Sequence, residues 1–150
     1  MSWLWKNGVV FTEDQIPEGA VGFVYQMSAI IDGKSVSYIG KKNFHANIKK
    51  KIGKRALPKD KRLKKYTRVT KISYENYYSS NDVLKQAHKD GVKIIRVILM
   101  ICYSKTELTY QEVKHQFQFE VLEYDHYLNG NILGRFYKQK NNKDEQSRNN

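Results

Sequence analysis

The sequence predicts a small α/β (α+β) domain, a three-stranded, mostly antiparallel sheet flanked by helices. Three observations carry that prediction. Two strand-like runs, residues 22–31 and 34–39, flank Asp32-Gly33, a strong hairpin turn pair. Residues 92–103 read VKIIRVILMICY, the run of a central strand. Helix-capping patterns open at Ser79 and again at Ser104 and Thr109, each followed by apolar residues at helical spacing. The order is β-β-α, a basic insert, then α-β-α. A length of 150 residues suits one domain.

Residues 1–20 read as a lead-in, with Trp3, Leu4 and Trp5 apolar enough to dock onto the body and a turn at Ile16-Pro17-Glu18-Gly19. In the hairpin the two-residue period places Val36 and Tyr38 on one face. Phe44, Ile48 and Ile52 recur every four residues, which predicts a short helix over 43–54, ended by Pro58. Residues 56–74 lack periodicity. Val83, Leu84 and Ala87 give the next helix its apolar side, and Gly91 ends it. A long helix over about 107–125 follows, its core stripe marked by Val113, Phe117, Val121 and Tyr124. Asn129-Gly130-Asn131 reads as a turn, and residues 138–150, without core-forming residues, as a disordered tail. The domain proper is 21–137.

The charge is concentrated. Residues 41–71 hold fourteen Lys or Arg against one acid, Asp60, so this window carries +13 of a chain whose net charge is +12. A patch of that density repels itself unless it faces solvent or a polyanion, and nucleic acid is the natural polyanion. Lys41, Lys42, Lys50, Lys51, Lys54, Arg62, Lys64, Lys65 and Arg68 are the candidate contacts, with Tyr66 and Tyr74 available to stack on bases. A solubilising loop is the plainer alternative. The single cysteine, Cys102, excludes an internal disulfide framework and a four-cysteine zinc site, and its apolar setting marks it as buried. No run is long enough to span a bilayer and the start lacks a signal peptide's apolar core, so a soluble intracellular protein is expected. Neither GxxxxGK[ST], GxGxxG nor HExxH occurs, and the four histidines are widely spaced.

The hairpin carries something more specific. Phe23-Val24-Tyr25, with Gly22 before it, and Tyr38-Ile39-Gly40-Lys41-Lys42 together resemble the paired signature of the GIY-YIG nucleases. Residues 74–91 (YENYYSSNDVLKQAHKDG), 108–112 (LTYQE) and 128–136 (LNGNILGRF) are similar to a phage-associated, homing-endonuclease-like branch, so the resemblance covers about 21–137. The sequence departs from the pattern in FVY for GIY, Tyr74 for the usual Trp and Ser79 for the usual Gly. The resemblance implies a metal-dependent DNA endonuclease acting on double-stranded DNA, with one Mg²⁺ (or Mn²⁺) and products bearing 5′-phosphate and 3′-hydroxyl ends. It also implies a phage-encoded protein acting in the host bacterial cytoplasm.

Residue by residue, the resemblance makes Tyr25 and Tyr38 the motif tyrosines, Tyr25 with help from Tyr38 positioning or deprotonating the attacking water, Glu112 the metal-binding carboxylate, Asn129 the late asparagine, Arg55 the phosphate-clamping arginine and Lys71 the branch's middle lysine. The chemistry suits these types: Mg²⁺ takes oxygen ligands and keeps several waters, so one carboxylate plus phosphate oxygens can hold it. Guanidinium clamps phosphate in a bidentate way. Lys50, Lys51 and Lys54 are alternatives to Arg55, and Glu107, Glu120 and Glu123 are rival acids. Of these Glu120 is the nearest rival, with Asn131 eleven residues on. Each residue also has a plain structural reading: Tyr25 and Tyr38 as sheet-face tyrosines, Gly40 as a strand exit, Glu112 as a helix cap, Asn129 as a turn residue. The same scaffold without catalysis, a nucleic-acid-binding protein, is the alternative function.

Overall fold

The computed structural model describes residues 2–51, 66–140 and 143. Its centre is a mixed four-stranded sheet in the order β1 (Trp3–Trp5), β6 (Ile94–Cys102), β2 (Gly22–Ile31) and β3 (Lys34–Asn43). Strand β2 (Gly22–Ile31) and strand β3 (Lys34–Asn43) form the expected hairpin. Asp32 and Gly33, both at positive φ, make its turn. Strand β6 (Ile94–Cys102) runs antiparallel to β2 on the other side. The pairing shifts between Val24, opposite Met100, and Tyr25, opposite Ile98. Leu99 is the extra residue of this bulge, which keeps Tyr25 and Ile98 on one face and Val24 and Met100 on the other.

The sheet has one strand more than the sequence predicts. Strand β1 (Trp3–Trp5) lies parallel to β6, Trp3 opposite Arg96. Three residues are too few to display an alternation, and their partner is some ninety positions away, so no local pattern announces this strand. The segment returns through a 3₁₀ turn at Glu13–Gln15. The predicted helix over 43–54 is instead strand β4 (His45–Lys51), paired antiparallel with strand β5 (Tyr66–Ile72) in a separate two-stranded sheet. The physical reason is arithmetic: a spacing of four is also a multiple of two, so Phe44 and Ile48 fit a strand as well as a helix. Ala46, Asn47 and Ile48 stand opposite Lys71, Thr70 and Val69, and the β-branched members of that set favour a pleated pair. Ile52, Lys54, Arg55, Pro58, Arg62, Lys64 and Lys65 lie outside the described residues.

Helix α1 (Asp82–Lys89) is capped by Asn81, whose side chain accepts from the N–H groups of Val83 and Leu84; Ser79 is not the cap. Helix α2 (Lys105–Gln118) starts at Ser104, which accepts from Glu107 N–H at 3.0 Å. It ends seven residues earlier than expected, because Glu120 turns into the left-handed region at φ +53°. Phe117, assigned to the core stripe, is 48% exposed; Leu108 and Gln116 hold the buried face. Residues 131–137 form a small hairpin of strands β7 (Asn131–Ile132) and β8 (Phe136–Tyr137). Among the described residues no helix is long and apolar enough to cross a membrane.

Two cores result, one on each side of the sheet. On one side Phe23, Tyr25 and Met27 of β2 pack with Trp3, Phe11, Phe44, Tyr74 and Leu84, so Tyr74 is a core ring and not one free to stack on bases. Edge-to-face rings dominate, as at Trp3–Phe23, with centroids 4.8 Å apart. On the other side Val24, Ile39 and buried Cys102 meet Leu108, Val121, Leu122 and Ile132. Arg96 is sandwiched between Trp3 and Tyr78 and donates to the carbonyls of Glu75 and Tyr77, which holds the 73–81 loop against the sheet.

Candidate active site

A polar cleft of about 440 Å³ lies against β3, the last strand of the sheet. Its lining includes Tyr38, Ser80, Glu112, Gln116, Asn129 and Leu133. Tyr38 comes from the aromatic side of the sheet and Glu112 from the helical side; an edge strand is where side chains of the two faces can meet.

Glu112 reaches the cleft because of its place on α2. Residues 108, 112 and 116 share one helix face, and Leu108 and Gln116 are buried against the sheet. Glu112 thus occupies a core-facing position at the point where the sheet ends. Loss of water raises its pKa above the usual carboxylate range, opposed by the charge of Lys41 and by a hydrogen bond from the Lys41 backbone. The carboxylate is therefore tied directly to the Tyr38-Ile39-Gly40-Lys41 segment. Lys41 in turn donates from Nζ to Thr109 Oγ1 at 2.8 Å.

Asn129 is 3% exposed, and its amide is spent on the strand: Oδ1 accepts from Ile39 N–H at 3.1 Å and Nδ2 donates to Ile39 O at 2.8 Å. Gln116 Nε2 donates to the same carbonyl. Two residues back, Ser37 pairs with the 126–128 segment through its own N–H and C=O. Asn129 thus continues, with a side chain, a backbone pairing that stops, and it fixes Ile39 between Tyr38 and Gly40.

Tyr25 lies behind Tyr38, ring centroids 6.3 Å apart, and only 1% of it is exposed. Its hydroxyl is 3.4 Å from both the Tyr77 hydroxyl and Ser79 Oγ. Burial, more than any neighbour, pushes the Tyr25 phenol far up and raises Tyr38 as well, with Ser80 opposing at Tyr38. Gly40 is opposite Tyr25 in the hairpin register. A Cβ there would meet Tyr25 at 2.5 Å and Tyr38 at 2.9 Å, so the glycine makes room for both rings and is more than a strand exit. Lys42 joins this group: Nζ donates to Ser73 Oγ and sits 5.0 Å from the Tyr77 ring, and burial lowers its pKa.

Sequence reasoning missed Tyr77, Ser79 and Ser80 as neighbours of the two tyrosines. The signal was Ser79 standing where the resemblance puts glycine: its φ is +76°, a conformation that favours glycine. Of the predicted residues, Tyr38, Glu112 and Asn129 come together at the cleft and Tyr25 stands behind them. Lys71 is exposed on β5 opposite Ala46 and does not line the cleft. Lys50 and Lys51 are on β4 and Arg68 on β5, so the basic insert is built on a two-stranded hairpin. Arg55 is outside the described residues. The rivals Glu120 and Glu123 instead bond Lys143, and Glu107 sits in the first turn of α2 with its N–H on Ser104.

The paired tyrosines, the glycine that seats them and the acid tied to the same strand are on one structural unit. Residues 3–132 match the family model described as "Putative endonuclease segE, GIY-YIG domain". The chain belongs to the GIY-YIG endonuclease family. No curated protein and no solved structure gave a match. Membership makes this a nuclease-type, nucleic-acid-binding fold. Among the described residues no three His, Cys, Asp or Glu side chains gather as a metal cluster. The donor set still fits a hard divalent ion: one partly desolvated carboxylate in a polar cleft, with room left for water and phosphate oxygens.

Proposed function

We propose that this GIY-YIG protein is a metal-dependent endonuclease that hydrolyses phosphodiester bonds of double-stranded DNA. The observation that carries the reading is the opening of Tyr38 and Glu112 onto one cleft, with the Lys41 backbone bonded to Glu112. Glu112 would hold a single Mg²⁺ or Mn²⁺. Bound there, the ion supplies a Lewis acid for the phosphate and the leaving 3′ oxygen. Tyr38, with its phenol kept protonated by burial, orients the attacking water by hydrogen bonding. Tyr25 and Gly40 set the plane of Tyr38, and Asn129 sets the strand that carries it, so these three act as positioning residues. Arg55 and the lysines of the basic insert clamp and neutralise the backbone, with Lys71 on the hairpin arm. The products carry 5′-phosphate and 3′-hydroxyl ends, and the resemblance to a phage-associated branch points to action in the host bacterial cytoplasm.

Supercoiled plasmid with Mg²⁺ tests this. Glu112→Ala is expected to abolish nicking and linearisation, and Tyr38→Phe to slow both by about 10²-fold or more. Undiminished cutting by Glu112→Ala would remove the proposed site. The burial of Tyr25 favours a second reading, a nucleic-acid-binding protein that does not cut. Salt-sensitive duplex binding without turnover in Mg²⁺ or Mn²⁺ is its signature, and chelator-sensitive turnover excludes it.

A further inference from the structure

The small hairpin of β7 and β8 contains a residue that neither backbone preference nor burial explains. Its turn places Leu133 at φ +57° and Gly134 at φ +65°, closed by a hydrogen bond from Arg135 N–H to Ile132 O. Two successive positive φ values are those of a type I′ turn, where Asn-Gly is the natural pair. A leucine in the left-handed region is sterically strained, because its Cβ crowds the following carbonyl oxygen. Burial does not offset that strain, because Leu133 is 60% exposed.

The turn is also held firmly. Asn131 Oδ1 accepts from Gly134 N–H at 2.9 Å, and the Tyr137 hydroxyl donates to Gly134 O at 2.9 Å. Phe136 of β8 packs edge-to-face on Phe117 of α2, centroids 5.5 Å apart, which braces the hairpin against the helix that carries Glu112. Leu133 itself lines the cleft with Tyr38 and Glu112, and exposed Arg135 follows two residues on. A rigid tip thus presents an aliphatic side chain beside the candidate site, on a chain of net charge +12.

We propose that Leu133 is a wedge that enters the base stack of duplex DNA and opens the step next to the bond to be cut. The proposal rests on the nuclease reading above and names how that site engages its substrate. Leucine is among the side chains that unstack a base step, a cost offset by the contacts a kinked duplex allows. Flexible pyrimidine–purine steps are the cheapest to open, so cutting is biased toward them without base-edge contacts.

The test uses the full chain with Ca²⁺ in place of Mg²⁺ and short duplexes carrying 2-aminopurine at successive steps. Wild type is expected to raise the fluorescence several-fold at the wedged step. Leu133→Asn loses that rise while its thermal midpoint does not fall, since asparagine suits the turn; Leu133→Phe keeps it. With Mg²⁺, Leu133→Asn cuts paired duplex about tenfold more slowly, and the deficit shrinks on a duplex already opened by a mismatch. Wild type that cuts paired duplex with no fluorescence rise, or Leu133→Asn with the full rise, overturns the wedge and leaves the nuclease reading intact. A wild-type chain that binds no duplex overturns both.

Discussion

Gly40 and Tyr25 face each other across the β2–β3 hairpin so closely that the phenol occupies the space a side chain at position 40 would need. The φ of Gly40 lies outside the left-handed region, so what the site requires is volume. Gly40→Ala would push its methyl group into both rings, and that of Tyr25 is boxed in by Trp3, Phe23 and Tyr77. The expected cost is about 1–3 kcal/mol of stability, read by denaturant titration. Cleavage should fall further than stability accounts for, because Tyr38 must also move. A Gly40→Ala variant as stable as wild type would show that the rings are not locked.

The half-buried carboxylate of Glu112 predicts a pH signature. Desolvation raises its folded-state pKa above the unfolded value, so the folded chain holds this proton more tightly. Between the two values the unfolded state binds fewer protons, and this group's contribution to stability falls as pH rises. Glu112→Gln should therefore be inactive yet more stable than wild type at neutral pH. The gap should close as pH falls below the ordinary glutamate value of about 4.3. Thermal melts across pH check this, and a gap that widens in acid would contradict it.

Asn129→Ala removes both side-chain bonds to Ile39 and leaves its buried N–H without that acceptor. The expected loss is about 1–3 kcal/mol, or roughly 2–4 °C of midpoint per kcal/mol in a domain of this size. As a positioning residue, Asn129 should affect turnover while duplex affinity in Ca²⁺ stays within about threefold. A large affinity loss would instead mark it as a substrate contact.

Lys138 predicts a purely structural effect. Its ammonium donates to the carbonyls of Val121, Tyr124 and Tyr127 at 2.7, 2.5 and 2.7 Å, closing the turns after α2. Lys138→Met should cost about 1–3 kcal/mol by leaving these carbonyls short of a donor. Arginine should not restore it, since a planar fork cannot point at three convergent oxygens. Calorimetry of the two variants settles the comparison.

The hairpin, the β6 strand and both helices were legible because each displays its period or its cap within a dozen residues. Strand β1 was not, because Trp3–Trp5 is explained only by a partner far along the chain. Strand β4 was misread because Phe44 and Ile48 satisfy two periods at once. At the site, the motifs name Tyr38, Glu112 and Asn129, which line one cleft; their roles are those proposed above. The Tyr77–Ser79–Tyr25 cluster was not legible, since its members meet only after the 73–81 loop folds back over the sheet. Lys138 read as the first residue of a polar tail because its three acceptors are backbone atoms, which have no signature in sequence.

The separation of the two cores has a practical outcome. The phenol half of the cleft is supported by the aromatic layer and the acid half by the helical layer, with the sheet as a partition between them. Repacking around Leu108 and Val121 would act first on the acid, and repacking around Phe11 and Tyr74 first on the phenol. Strand β3 crosses that partition, with Ile39 in the helical layer and Lys41 bonded to Glu112, so a change in either layer is passed to the other half along one strand.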